Sequence, residues 1–566
     1  MSRNSQSHFA VNPTNIDMSR SRFDRPFSHK TTFNVGQIIP FYVDEVLPGD
    51  TFDVETSRVV RMQSLITPVM DNIYLDMYYF FVPNRIVWSH WKQFMGENTE
   101  SAWIPKTEYE VPQITAPAES GFAVGTIADY LGVPTGVPNL SVNALPFRAY
   151  ALICNEWFRD ENLSDPLNIP VDDATVAGVN TGTFVSDVAK GGLPYTAAKY
   201  HDYFTSALPA PQKGPDVMIP VAGEGLMPVV TLPENVDSSL IKYPLHFGRF
   251  KTGGKKPSGD FPSLDEGSSD LNYAFSSGFN EQGGSSVSLG AYYTDNGLAP
   301  LNLWASSTST LQAATINQLR MAFQIQKLYE KDARGGTRYI EVLKSHFGVT
   351  SPDARLQRPE YLGGNRVPIN INQVLQTSGT VEGNTPQGTP VGQSLTTDTH
   401  HDFKKSFVEH GFVIGVMVAR YRHTYQQGLE RFWNRHTRLD FYWPVFANIG
   451  EQAILNKELY AQGTDEDEEV FGYQEAWADY RYKPDRVSAE MRSSYAQSLD
   501  VWHLADDYDK LPALSDSWIR EDPSNVDRVL AVQSNTSAQL FADIFVMNRT
   551  TRPMPMYSIP GLIDHH

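Results

Sequence analysis

Glu156 and Asp160 are the pair of side chains whose type and spacing come nearest to catalytic chemistry. They stand four residues apart in a segment with helical periodicity, 146–160, so both carboxylates would lie on one helix face. Two carboxylates flanking a glycosidic bond are what glycoside hydrolysis uses. Ion pairs with Arg148, with Arg159 or with groups across an interface account for the pair more simply. We therefore predict no catalytic role for it.

Four other segments resemble ligand sites without meeting their requirements. The glycine-rich tract 248–256 lacks the phosphate-loop spacing, because Arg249 stands where glycine is needed. The acidic run 465–469 lacks the alternating spacing and the turn glycine of a calcium loop. The histidines of 400–402 and 565–566 have no third metal ligand at a supporting spacing. We predict surface loops at 248–256 and 465–469, surface residues at 400–402 and 565–566, and no metal or cofactor.

The overall composition excludes several classes of protein. The single cysteine, Cys154, rules out a disulfide framework within the chain and a zinc site built from several cysteines. A formal net charge of −19 opposes broad, nonspecific binding to DNA. The longest apolar stretch, 411–419, is about half the length of a membrane span. The N-terminus has no apolar signal core, so export through a signal peptide is not expected. No nucleophile elbow, zinc helix or dinucleotide fingerprint is present, and we predict that the protein is not an enzyme.

The elements that would position these side chains are mainly β-strands, in two blocks far apart in the chain. Alternating or β-branched patterns predict strands at 36–43, 51–55, 58–66, 72–82, 410–421, 438–446, 529–532 and 539–547. Three- and four-residue apolar spacings predict helices at 88–95, 146–160, 315–331 and 337–347. Long insertions in a surface connection cost little loop entropy. The pattern therefore favours one mainly β, jelly-roll domain over residues 31–566, with long loop and helix insertions.

The first thirty residues are the one locally basic tract. They carry five basic side chains against two acidic ones, Asp17 and Asp24. The basic residues are Arg3, Arg20, Arg22, Arg25 and Lys30. Residues 1–30 are either a disordered terminus or an inward-facing arm that contacts nucleic acid or neighbouring subunits. In the second case these five side chains are candidate DNA contacts.

Aromatic and arginine residues alternate along 425–443. This mixture is typical of protein–protein contacts, although core packing of a β domain would use the same aromatic residues. The candidate interface residues are Arg431, Phe432, Trp433, Arg435 and Arg438.

A long tract rich in glycine and serine, 213–300, has no clear periodicity. Connections of this length are uncommon in compact domains and tend to be functional or disordered. Its scattered aromatic residues are Tyr273, Phe275, Phe279, Tyr292 and Tyr293.

Several irregular segments in one order give the sequence a family likeness. They include 23–28 (FDRPFS), 125–132 (GTIADYLG), 155–160 (NEWFRD), 203–209 (YFTSALP), 335–364, 425–431 (YQQGLER), 471–475 (FGYQE), 480–484 (YRYKP), and 552–555 with 560–564 near the end. In these segments the chain resembles the major capsid proteins of microviruses, small icosahedral single-stranded DNA phages, and specifically the gokushovirus branch. The likeness extends over most of the chain and is weakest in 213–300.

This resemblance implies an eight-stranded viral jelly roll, of which sixty copies form a T=1 icosahedral shell around a circular single-stranded DNA genome. It also implies a small basic DNA-binding peptide, a minor pilot protein and an internal scaffolding protein as partners. A protrusion at the threefold axes would contact a host cell-surface receptor, and we map it onto 213–300 with its five aromatic residues. The protein would reside in the virion, and in the host cytoplasm during assembly.

Two other functions remain compatible with a β-rich chain. One is a glycan-binding, lectin-like or fibre-like protein, which would stay a small oligomer without nucleic acid. The other is a β-sandwich hydrolase, which would need convergent carboxylates that the sequence does not display.

Overall fold

The computed structural model describes residues 19–100, 106–217, 316–350, 357–379 and 386–557, and the backbone of 229–231, 247–249, 298–300 and 303–305. The chain forms two compact units. One combines residues 1–214 with 328–566, and the other is 215–327.

Eight long strands of the first unit form two four-stranded antiparallel sheets. They are β1 (Ser21–Phe33), β2 (Ile39–Val46), β3 (Thr51–Met62), β4 (Ile73–Pro83), β5 (Glu360–Pro368), β6 (Thr396–Ser406), β7 (Gly411–Tyr421) and β8 (Leu540–Arg552). The strand orders are β1-β8-β3-β6 and β5-β4-β7-β2. The pairs are nested, since β1 pairs with β8, β2 with β7, β3 with β6 and β4 with β5. This is the topology of a jelly roll, and it confirms the predicted fold class.

The first sheet is covered on one face only, and its sequence alternates accordingly. On β3, Phe52, Val54 and Val60 are buried in the core between the sheets, whereas Asp53 and Glu55 remain accessible. Strand β8 alternates in the same way. A half-buried antiparallel strand is expected to show this period of two.

The second sheet is covered on both faces, which explains the unbroken apolar sequence of β7. Val413 and Met417 contribute to the core between the sheets. Ile414 and Val416 belong to a second core with helix α1 (Leu145–Ile153), which continues as a π-helical turn over Cys154–Phe158. The predicted strand at 410–421 and the helix at 146–160 are therefore confirmed.

Two long insertions carry most of the remaining elements. The first, 84–359 between β4 and β5, contains helices Asn84–Val87, Trp91–Phe94, Ile127–Tyr130, α1, Phe184–Asp187, α2 (Ile316–Gly335) and α3 (Tyr339–Phe347), with strands Gln113–Thr115, Ser141–Asn143 and Val176–Ala177. Between β5 and β6 lie strands Ile371–Leu375 and Pro390–Ser394. The second insertion, 422–539 between β7 and β8, contains strands Glu451–Leu455 and Val470–Glu475 and helices Asn456–Leu459, Asp516–Ile519 and Ser524–Asp527. None of the helices in the described ranges is both long and apolar enough to cross a membrane.

In the second unit, two pairs of short strands are described. Val229–Thr231 pairs antiparallel with Leu303–Ala305. Phe247–Arg249 pairs in the same way with Leu298–Pro300. Residues 229 and 305 are therefore neighbours across one strand pair.

Several predicted elements differ from the structure. The predicted strands 51–55 and 58–66 are one strand, β3. The predicted strand 438–446 is wrong: this segment forms short 3-10 turns, and Pro444 cannot donate a ladder hydrogen bond. Residues 529–532 form no strand, and only Leu530 makes an isolated bridge, to Leu65. In the predicted helix 88–95, only Trp91–Phe94 is helical, and Trp88 is a buried residue before it.

The boundary of the predicted N-terminal arm also changes. Strand β1 begins at Ser21 and pairs along its whole length with β8. Residues 21–30 are thus part of the barrel. On β1, two of the positions that point toward the core are the polar residues Arg25 and His29. The apolar alternation that marks a strand is therefore weak here.

Candidate functional site

The second insertion presents an exposed aromatic surface directly after β7. We define the aromatic surface as Phe432, Trp433, Leu439, Phe441, Tyr442, Trp443, Val445, Ile449 and Tyr480, all of which are exposed. Trp433 is 63% exposed and Val445 is 87% exposed. Large apolar side chains gathered in this way mark interaction surfaces in soluble proteins.

Polar contacts hold the irregular backbone of this surface in place. Arg435 forms an ion pair with Asp479, and its guanidinium lies 4.3 Å from the ring centre of Tyr480. Arg438 lies 4.7 Å from the ring centre of Trp443, whose indole N–H donates to the Arg438 carbonyl at 3.0 Å. Tyr480 and Trp443 are therefore held by hydrogen bonds and cation–π contacts within a backbone of short 3-10 turns.

Asp440 closes a tight turn within the surface. The backbone N–H groups of His436 and Thr437 donate to its carboxylate at 2.9 and 2.6 Å. These donors lower the pKa of Asp440. The charged form is the one that accepts both bonds, so the turn is favoured at neutral pH.

A cavity of about 610 Å³ lies beside the aromatic surface. Four of the five residues predicted as an interface line it, namely Arg431, Phe432, Trp433 and Arg435. Arg438 lies outside this cavity lining, against Trp443. The Arg431 guanidinium is engaged within the chain: it donates to the Ala453 carbonyl at 2.8 Å and pairs with Glu458 at 3.4 Å. Burial raises the pKa of Glu458, and the Arg431 charge opposes that shift.

The basic residues predicted as DNA contacts do not form one group. Arg3 lies outside the described residues, and Arg20 is exposed before β1. Arg25 binds both oxygens of Asp44, at 2.6 and 2.7 Å. Arg22 pairs with Asp24 of its own strand at 3.7 Å, and Lys30 pairs with Asp543 of β8 at 3.4 Å. In the described part of the tract, three of the four cations are thus next to carboxylates.

The comparisons with known proteins agree with the mainly β, jelly-roll fold. The profile of the capsid protein (F protein) family matches residues 12–562. The chain belongs to the capsid protein (F protein) family. The predicted resemblance to microvirus major capsid proteins of the gokushovirus branch is thereby confirmed.

Three relatives match this capsid protein over nearly its whole length. It is 42% identical to capsid protein VP1 of Bdellovibrio phage phiMH2K, over 99% of this chain and 98% of that protein. It is 43% identical to capsid protein VP1 of Spiroplasma virus 4, over 96% and 95%. It is 41% identical to capsid protein VP1 of Chlamydia phage 1, over 98% of both.

The irregular segment 335–364 of the capsid protein serves as a clamp between elements. The Arg338 guanidinium contacts the carboxylates of Glu161, Glu156 and Glu341 and donates to the Asn155 carbonyl at 2.6 Å. These contacts join α3 to the turn after α1. Its last two glycines, 363–364, lie inside strand β5.

The two carboxylates considered for catalysis have structural partners. Glu156 pairs with Arg338 at 3.5 Å, and not with Arg148 or Arg159 as the sequence suggested. Asp160 accepts the backbone N–H groups of residues 162 and 163, both at 2.9 Å. Each carboxylate therefore has a partner in the folded chain, an arginine for Glu156 and backbone N–H groups for Asp160.

The histidine segment 400–402 lies in strand β6 and pairs with β3. His401 contacts Asp53 at 2.8 Å, and Asp402 accepts from the Thr56 hydroxyl at 2.5 Å. Across the described ranges, no group of three or more His, Cys, Asp or Glu side chains could hold a metal ion. Residues 565–566 and most of 248–256 lie outside the described residues, as do Tyr273, Phe275, Phe279, Tyr292 and Tyr293.

Sequence reasoning missed the contribution of segment 480–486 to this site. Tyr480, Lys483 and Arg486 line the same cavity as Trp433 although they are about fifty residues away in the chain. The segment 480–486 (YRYKPDR) has the same alternation of aromatic and basic residues. That composition was the available signal, but sequence alone did not place the two segments together.

Proposed function

We propose that this capsid protein self-associates into a T=1 icosahedral shell of sixty copies that encloses a circular single-stranded DNA genome. The observation that carries the proposal is the aromatic surface, which is exposed on the single chain. Exposed aromatic and arginine side chains supply much of the energy at protein–protein contacts. Closed symmetry would bury such a surface in every copy.

The charge of the chain supports a second protein as the main neutraliser of the genome. The net charge is −19, and Arg22, Arg25 and Lys30 are next to carboxylates. DNA binding depends on cations that displace counterions from phosphate. A small basic DNA-binding peptide would supply them, and Arg3 and Arg20 would add contacts from the shell. A minor pilot protein and an internal scaffolding protein are the further partners we propose, on the family likeness.

Host attachment is assigned to the insertion 213–300. This is the segment where the family likeness is weakest, and it falls mainly within the compact unit 215–327. Its five aromatic residues would face a host cell-surface receptor. The protein would occupy the virion, after assembly in the host cytoplasm.

The native mass of the protein from its own source tests the shell directly. Sixty chains of 63.4 kDa amount to about 3.8 MDa of coat. A particle of that mass or more, with single-stranded DNA protected from nuclease, is the expected result. A monomer or small oligomer without nucleic acid would overturn the proposal in favour of the glycan-binding alternative.

The variant Trp433→Ala tests the aromatic surface itself. Loss of a central aromatic contact costs about 2 kcal/mol per interface, so we expect shell formation to require a much higher protein concentration. Phe347→Ala removes an exposed aromatic ring, 72% exposed, outside this surface and is the matched control. Equal assembly by both variants and the unmodified chain would show that the aromatic surface is not a subunit contact.

A further inference from the structure

The acidic run 465–469 has no role in the contacts described so far. It forms a 3-10 turn in which only Asp467 is buried. The Asp467 carboxylate accepts the backbone N–H groups of Gln462 and Gly463. The other four carboxylates are exposed. We call residues 465–469 the acidic loop.

Positive charge also lies beside the aromatic surface, where the Lys483 ammonium is 5.5 Å from the ring centre of Phe432. We define the basic rim as Arg438, Lys483 and Arg486, all exposed. Lys483 and Arg486 share a single carboxylate, that of Glu430. Arg438 lies over the Trp443 ring. The rim therefore carries an excess of positive charge on a chain whose net charge is −19.

Contacts through residues 456 and 457 connect the acidic loop to Leu429, three residues before the aromatic surface begins. The Leu429 N–H donates to the Lys457 carbonyl at 2.8 Å, and the Lys457 ammonium contacts Glu468 at 2.5 Å. The Asn456 amide group donates to the Glu466 carbonyl at 2.9 Å. The acidic loop is thus held close to the segment that begins the aromatic surface.

We propose that a second copy of the chain binds this surface about a twofold axis, with the acidic loop of each copy against the basic rim of the other. The inference rests on the proposed function and names the contact that shell assembly uses. A twofold contact requires a self-complementary surface, where residue i meets j and j meets i. An exposed apolar surface with both signs of charge beside it can meet this requirement, and polar groups at the rim are typical of interfaces.

A second copy is the occupant that the charges favour. One chain supplies both signs of charge, so a single kind of contact pairs the acidic loop and the basic rim twice. A polyanion such as DNA would match the basic rim but would be repelled by the acidic loop. A basic peptide would match the acidic loop but would be repelled by the basic rim.

Charge reversal on each border tests the contact. The acid-reversed chain carries Asp465→Lys and Glu466→Lys, and the rim-reversed chain carries Lys483→Glu and Arg486→Glu. All four side chains are exposed, and urea unfolding would verify that each chain is folded. In either chain alone, like charges face each other twice in every pair. We expect shell yield, measured by sedimentation, to fall at least about tenfold for each, since juxtaposed like charges cost several kcal/mol.

A mixture of the two chains distinguishes a twofold contact from a ring. Every acid-reversed chain can pair with a rim-reversed chain with both charge contacts restored, so a 1:1 mixture should recover the shell. In a threefold or fivefold ring the two chains would have to alternate around an odd number of places, and one contact per ring would stay repulsive. A chain that carries all four substitutions should recover the shell in either geometry.

The remaining outcomes overturn the inference at different levels. Recovery by the fourfold variant but not by the mixture would replace the twofold contact with a ring contact. Normal yield from each reversed chain alone, or failure of both the mixture and the fourfold variant, would show that the acidic loop and basic rim do not meet. Failure of the unmodified chain to form shells would instead refute the proposed function.

Discussion

His423 is buried between two carboxylates at the end of β7, and its charge is part of the fold. Its ring nitrogens lie 2.9 Å from Asp506 and 3.1 Å from Glu521. Burial lowers the pKa of His423, but the two carboxylates outweigh it and raise that pKa to about 9. The imidazolium thus joins β7 to the second insertion.

Replacement His423→Gln should destabilise the dissociated chain by about 3 kcal/mol, because it leaves buried carboxylates without a counter-charge. The pKa of His423 is about 9 in the folded chain and 6.5 ordinarily. Its stabilisation is therefore complete below about pH 6.5 and lost as the pH rises through 9. Urea unfolding across this range should show the decline in the unmodified chain and not in His423→Gln. A parallel decline in the unmodified chain and in His423→Gln would contradict the assignment. The control is His401→Gln, which removes the exposed ion pair with Asp53. It should change the free energy of unfolding by no more than about 0.5 kcal/mol.

Cys154 is a second residue whose environment determines its chemistry. Burial raises the pKa of its thiol to about 12, and a hydrogen bond with Tyr150 opposes that shift only in part. Because the thiolate is the reactive form, a thiol reagent should not label the folded chain at neutral pH. One equivalent should react after unfolding. Ser494→Cys, at an exposed position, should react at once in the folded chain. Rapid labelling of the unmodified folded chain would show that the α1 core opens.

At the scale of elements, Gly364 allows β5 to join the second sheet. Gly364 has φ +150°, and a Cβ there would lie 2.0 Å from the carbonyl oxygen of Met77 on β4. Gly364→Ala should therefore separate β5 from β4 and cost roughly 3 kcal/mol in unfolding free energy. Gly379→Ala is the control, since a Cβ there meets nothing within 4 Å. Similar unfolding curves for both variants would refute the constraint.

The same elements show which parts of the fold the sequence could predict. Strands β3, β7 and β8 were predicted because burial on one or both faces leaves a visible pattern of period two or an apolar run. Strands β1, β5 and β6 were missed because glycines, prolines, histidines and charges occupy them. Their places are set by long-range pairing, such as β1 with β8, which no local pattern reveals.

The candidate site was also predicted only in part. The aromatic and arginine composition of 425–443 indicated an interaction surface, and the structure exposes those rings. The opposite error at 438–446 came from the same aromatic residues, because they are typical of strands when buried. What composition could not supply was the approach of 480–486 to Trp433, which the tertiary fold determines.

At the scale of the whole molecule, the insertion should be separable from the shell. Strands Val229–Thr231 and Leu303–Ala305 pair with each other, so residues 232–302 leave and return at neighbouring points. Paired strands lie about 4.8 Å apart, and a short turn can join them. Replacement of 232–302 with a Gly-Ser turn removes all five aromatic residues of the proposed receptor surface and shortens one connection. Shorter connections lower the entropy of loop closure, so the jelly roll should lose no stability.

We therefore expect the shortened chain to form shells of sixty copies that no longer attach to host cells. Sedimentation would measure the shells, and binding of labelled particles to cells would measure attachment. The two readouts separate the possible errors, because they depend on different parts of the chain. Shells that still attach would place receptor binding outside 232–302. Loss of shells by a chain whose urea unfolding is unchanged would assign the insertion to subunit contacts, in addition to the aromatic surface.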